Sequence, residues 1–139
     1  MAIEDFTGEL PMNPLADDIA PSFSRTTPAI DENLLIFGDQ GGRRGYGASV
    51  MAVDKNSGDL QWITKIDNFR SAIVTQSAVV HDGTVYVGVS SIEELSAEAI
   101  PGYDCCDFQG KVVALDAATG VIKWETSMAP NADFSGNAV

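Results

Sequence analysis

The stretch KVVALDAATGVIKW, Lys111–Trp124, repeats the stretch SVMAVDKNSGDLQW, Ser49–Trp62, at a constant offset of 62 residues. Ala52, Asp54, Gly58 and Trp62 fall in register with Ala114, Asp116, Gly120 and Trp124. Each copy reads as a strand, a tight turn and a second strand. The aspartate can accept turn N–H groups, and the glycine can take the left-handed conformation. Upstream, TTPAIDENLLIFG (Thr26–Gly38) is echoed by TQSAVVHDGTVYVG (Thr75–Gly88), with one residue of slip. Strand-rich units repeated at a fixed period point to a stacked or radial array. One tryptophan per unit suits such an array, because a large flat ring can cover the neighbouring sheet. Trp62 and Trp124 are therefore expected to be largely buried between sheets, with Asp54 and Asp116 in equivalent turns.

The rest of the second unit completes an antiparallel sheet. A strand over Ala78–Val80 and another over Thr84–Val89 meet at His81-Asp82-Gly83, where Asp-Gly suits a turn needing positive φ. Strands over Lys111–Leu115 and from Val121 onward follow a long loop. This organisation assigns residues 1–23 to the end of a preceding blade or a linker and 24–67 to one unit. Residues 68–139 form the other, with an inserted loop at 90–110 and the start of the next connection. The run GGRRGYG, Gly41–Gly47, lacks the lysine and spacing of a phosphate loop and reads as a mobile connection. His81 is expected to face solvent.

Composition limits what such a sheet array can do. The 139 residues are 45% hydrophobic, enough for a globular core. Twenty acidic residues against eight basic ones give a charge of -12, which repels nucleic acid phosphates and anionic lipid. No apolar run is long enough to predict a membrane span. The first 24 residues have no basic and apolar regions of a secretory signal.

Cys105 and Cys106 are the only cysteines, and they are adjacent. Neighbouring cysteines are poor partners in one tetrahedral zinc site, and His81 is the only histidine. A strained disulfide and two free thiols both remain open on the residues alone. No C-x-x-C-H haem signature is present.

The twice-present pattern Ala-x-Asp-x-x-Ser/Thr-Gly-x-x-x-Trp resembles the tryptophan-docking motif of the quinoprotein β-propellers, the family of pyrroloquinoline-quinone-dependent alcohol dehydrogenases. The run TQSAVVHDGTVYVGVSSIEE with CCDFQGKVVALDAATG is similar to a blade of the polyvinyl-alcohol dehydrogenase branch and, more distantly, of methanol dehydrogenase. The resemblance covers about residues 22–124 and implies an all-β fold of about two four-stranded antiparallel blades. It implies quinone contacts from Thr75, Ser90, Ser91 and Ile92, with Glu93 as a calcium ligand. Calcium takes carboxylate oxygens, and hydroxyls and amides can hold the quinone's carboxylates. It also implies a disulfide between Cys105 and Cys106, forming a wall beside the quinone. Gln109 stands where relatives tend to carry an arginine that touches the quinone, so that site would lack a charge-assisted contact. Ser91-Ile92-Glu93-Glu94 fits a capping box as well, with Ser91 as N-cap and Glu94 at N3, opening a short helix through Ile92–Ile100. The box leaves Glu93 free for calcium.

These readings make the chain part of a quinone- and calcium-dependent enzyme oxidising small or polymeric alcohols, with a separate electron acceptor such as a cytochrome c. The resemblance implies a periplasmic location. The closed propellers of the family have about eight blades, so the chain is expected to be a fragment that is inactive alone. No catalytic base is assigned. The alternative is a cofactor-free binding or scaffold propeller of the outer-membrane assembly lipoprotein kind.

Overall fold

Short runs rich in valine and isoleucine, broken by polar turn residues, fold as antiparallel strands whose side chains alternate between the two faces of a sheet. The computed structural model describes residues 23–128. Residues 1–22 and 129–139, expected to hold the end of a preceding blade and the start of the next connection, lie outside the described residues. The first sheet runs β1 (Ala29–Asp31), β2 (Leu34–Gly38), β3 (Ala48–Asp54) and β4 (Leu60–Asp67), each beside the last. The second contains β5 (Ala72–Ile73), β6 (Val79–His81), β7 (Thr84–Ser91), β8 (Lys111–Asp116) and β9 (Ile122–Ser127). Here β6, β7, β8 and β9 are successive neighbours, and β5 pairs with the far end of β7. The all-β antiparallel expectation holds. The second sheet has five strands rather than four, because Ala72 and Ile73 pair with Ser91 and Ser90 before the chain turns into β6.

The internal repeat is a repeat of hydrogen-bond register. Ile36 faces Ala52 and Ala52 faces Trp62; Tyr86 faces Ala114 and Ala114 faces Trp124. Both sheets slip register at the same step, after Ala52 and after Ala114. The Asp54 carboxylate accepts from the amides of Asn56 at 2.8 Å and Ser57 at 2.9 Å. Asp116 accepts from the amides of Ala118 at 3.2 Å and Thr119 at 3.0 Å, and from the Thr119 hydroxyl at 2.9 Å. These bonds hold both carboxyls below the ordinary aspartate range, led by the Ser57 amide at Asp54 and the Thr119 hydroxyl at Asp116. Between matched positions, Ile36 to Ala52 in one sheet and Tyr86 to Ala114 in the other, the second connection is twelve residues longer. All of that extra length emerges at one end of the sheet. At the other end, Asp82 (φ 46) and Gly83 (φ 65) both adopt positive φ, which places β6 one residue later than expected.

The core lies between the sheets. Ile36, Val50, Ala52 and Trp62 from the first pack with Val74, Val85, Val87, Leu115 and Ala117 from the second. The Trp62 indole N–H donates to the Ala117 carbonyl at 3.0 Å, and the Thr64 hydroxyl donates to the Gly120 carbonyl at 2.6 Å. Gly120 has φ 72, and a Cβ there would run into the Trp62 ring. The repeated turn is thus also the floor on which the neighbouring tryptophan rests.

Trp124 departs from expectation. It is 46% exposed and meets Tyr86, ring centroids 6.0 Å apart, where Trp62 is 9% exposed. A ring in this register is covered by the turn of the next sheet rather than by its own strands. Among the described residues, no third sheet supplies that turn. Within the Gly41–Gly47 connection, Gly41–Arg44 form a 3-10 turn, and Gly42 packs so closely on the Ala72 carbonyl that a side chain has no room.

Candidate functional site

Antiparallel pairing brings the start of β6, the end of β7 and the start of β8 to one end of the second sheet. The sequence-derived candidates collect there. The Thr75 and Ser90 hydroxyls lie 3.2 Å apart, and Ser90, 1% exposed, also reaches the Ile73 carbonyl at 3.5 Å. Ser91 is buried, still paired in β7 with Ala72. The Ile92 amide donates to the Ser71 carbonyl at 3.1 Å, which tethers the strand end to the preceding connection.

That pairing displaces the expected capping box. Helix α1 (Glu93–Ala99) starts after Ile92, not Ser91, and Ile92 makes no side-chain cap bond. The Ser91 hydroxyl accepts from the Glu93 amide at 3.4 Å. Ser91 keeps extended-strand geometry because β5 holds it, so the helix begins a residue late. Glu94 is exposed, and Glu93 turns inward.

Glu93 is 1% exposed. Its Oε1 accepts from the Tyr103 hydroxyl at 2.9 Å and the Asp107 amide at 3.0 Å; its Oε2 accepts from the Phe108 amide at 2.8 Å. Cys105 and Cys106 form a disulfide with each other, inside the loop that these bonds hold. Phe108 is buried against Phe69, ring centroids 5.4 Å apart. Arg70 lies over the Tyr103 ring at 5.8 Å, with Nη2 donating to the Tyr103 hydroxyl at 3.4 Å. Gln109 is exposed and accepts from the Ser127 hydroxyl at 3.5 Å.

The structure therefore brings Thr75 and Ser90 into contact and ties Glu93 to the cysteine loop, with Gln109 at the outer edge beside β9. Sequence reading missed Tyr103 and the Asp107 and Phe108 amides. Only the aromatic residue two places before the cysteine pair hinted at them. It also missed the first sheet's corresponding end, where the buried Gln40 donates to the Val74 carbonyl at 2.6 Å. Beside it, Asp39 accepts from the Ser49 amide at 2.8 Å, and burial pushes its carboxyl above the ordinary range.

The donor set at this end suits a flat, anionic ring system: two touching hydroxyls, neighbouring amides and a compact disulfide. It does not fit a calcium ion by itself. Calcium takes about six to eight oxygen ligands, and no cluster of three or more His, Cys, Asp or Glu side chains able to hold a metal occurs among the described residues. Glu93 already accepts three hydrogen bonds. No helix among the described residues is long and apolar enough to cross a membrane.

The PQQ_2 family model, described as outer membrane protein assembly factor BamB, matches residues 20–137. The polyvinylalcohol dehydrogenase of Sphingopyxis sp. (strain 113P3) is 35% identical over 76% of this chain and 16% of its own length. That of a Pseudomonas sp is 36% identical over 56% of this chain and 12% of its length. The chain thus spans under a fifth of these relatives. Among solved structures, a europium-containing methanol dehydrogenase superposes with a TM-score of 0.55 at 23% identity, covering 72% of this chain and 14% of that one. This likeness shows a shared propeller fold.

Proposed function

Because the chain belongs to the PQQ_2 family and resembles quinoprotein alcohol dehydrogenases, we propose that it forms part of the cofactor wall of a quinone-dependent alcohol dehydrogenase, with pyrroloquinoline quinone as the group held. The observation that carries this reading is the gathering of Thr75, Ser90 and the Cys105–Cys106 disulfide at one end of one sheet. When bound, the quinone would accept two electrons and two protons from the alcohol, which would leave as the carbonyl compound while the quinone became the quinol. Thr75 and Ser90 would donate to its oxygens, exchanging the bond they make to each other. The disulfide would present a rigid apolar face and exclude water from it. Calcium stays outside this mechanism, since Glu93 is already committed to the loop. The substrate is a small or polymeric alcohol, the similarity to polyvinylalcohol dehydrogenases favouring the polymer. Electrons then leave through a separate acceptor, such as a cytochrome c. An oxidising compartment such as the periplasm suits the disulfide.

Equilibrium dialysis of the full chain against pyrroloquinoline quinone tests the reading. Saturable binding is expected, weakened about tenfold when Thr75→Val and Ser90→Ala together remove two hydrogen bonds. Unchanged binding in the double variant, or none in the parent chain, would sink it. In the latter case the second reading takes over, a cofactor-free scaffold propeller, favoured by the uncharged Gln109 where a quinone contact would call for an arginine.

A further inference from the structure

We propose that Glu93 is the positioning residue of the Cys105–Cys106 loop: its buried carboxylate clasps the chain on both sides of the disulfide and so sets where the disulfide lies. The reasoning starts from the strand. Glu93 lies two residues beyond Ser91, the last residue of β7, and β7 is paired along its length by β5, β6 and β8. The backbone just before the carboxylate is therefore held by strand pairing and not only by the loop. Both oxygens point into the protein, at 1% exposure. Two consecutive amides, Asp107 and Phe108, donate to the two different oxygens, a bidentate grip on the residues just after Cys106. The Tyr103 hydroxyl donates to Oε1 from the other side, two residues before Cys105.

The contacts thus bracket the cysteine pair. A buried carboxyl costs much unless its oxygens are satisfied, so this one strongly favours the single loop arrangement that supplies three donors. Phe108 and Arg70 brace the same loop, one by packing on Phe69 and the other by lying over Tyr103. Cys105 and Asp107 are exposed, and Glu93 is the buried residue of helix α1. The inference stands whether or not a quinone binds.

The test uses the full oxidised chain and follows thiol release during reduction by dithiothreitol, with amide hydrogen exchange at Asp107 and Phe108. Glu93→Ala is expected to speed reduction about tenfold, in keeping with the loss of charge-assisted hydrogen bonds, and to remove protection of both amides. Tyr103→Phe, which deletes one donor and leaves the fold intact, should speed reduction about twofold to fourfold by the same reasoning and spare the Phe108 amide. Glu94→Gln should change neither. Titration with calcium alone should give the same affinity for the parent and for Glu93→Ala. The proposal is overturned if Tyr103→Phe and Glu93→Ala both reduce at the parent rate. It is equally overturned if Glu93→Ala abolishes calcium binding while the two amides stay protected, which would make Glu93 a metal ligand instead.

Discussion

Trp62 donates its indole N–H across the sheet interface to the carbonyl of Ala117, 55 residues later in the chain, at 3.0 Å. The same ring lies on Gly120, so hydrogen bond and packing fix one relation between the sheets.

Replacing Trp62 by Phe removes that bond and part of the buried surface. It should lower the unfolding free energy by about 1–3 kcal/mol, and Trp124→Phe by less than about 1 kcal/mol. Urea denaturation of both variants decides the matter. Equal losses would mean that the two tryptophans share one environment, against the exposure difference seen here.

Gly120→Ala meets two penalties, positive φ and collision with the Trp62 ring. A loss of about 2–4 kcal/mol is expected. Gly83 also has positive φ but faces open space, so Gly83→Ala should cost only about 1–2 kcal/mol. Thermal melting of the pair separates strain from collision.

Two buried or bonded aspartates give opposite pH dependences. Asp116 titrates below its usual value of 3.8, so its contribution is present above that value and is lost as pH falls through the lowered pKa. Asp39 titrates above 3.8; its contribution is complete below 3.8 and is lost as pH rises through the raised pKa. Asp116→Asn should therefore flatten the acid limb of a stability profile, and Asp39→Asn the limb on the other side of the carboxylate range. Unfolding curves collected from pH 2 to 7 would show the reverse assignment if either sign is wrong.

Thiol counting on the chain folded under oxidising conditions should find no free thiol before reduction and two after it, because Cys105 and Cys106 are bonded to each other. Two reactive thiols in the unreduced, oxidised preparation would contradict the structure. The same reagent applied in denaturant controls for access.

The repeat made the sheets readable, since period, turn aspartate and turn glycine are all local properties and all recur. Strand ends were less so: β5 is two residues long and exists because Ser90 and Ser91 offer it a partner, which no local propensity announces. That unseen pairing is also why Ser91 failed as a cap. At the site, Thr75, Ser90 and the cysteines were legible through resemblance. The clasp at Glu93 was not, because two of its three donors are backbone amides. Every residue has such an amide, and only the folded path of the loop aims these two at one carboxylate. The exposure of Trp124 likewise depends on a neighbouring sheet and not on its own sequence context.

The twelve-residue difference between the two connections leaves strand register untouched on both sides. Selection can therefore act on this architecture in two separate compartments. The turns at Asp54 and Asp116 are bound by the neighbouring tryptophan or by their own hydrogen bonds, and few substitutions there escape a structural penalty. The opposite connections differ in length and content, and one unit carries a helix and a disulfide where its sibling has a glycine-rich turn. A duplicated module of this kind can acquire new chemistry by lengthening a single connection, while the copy beside it continues to hold the scaffold together.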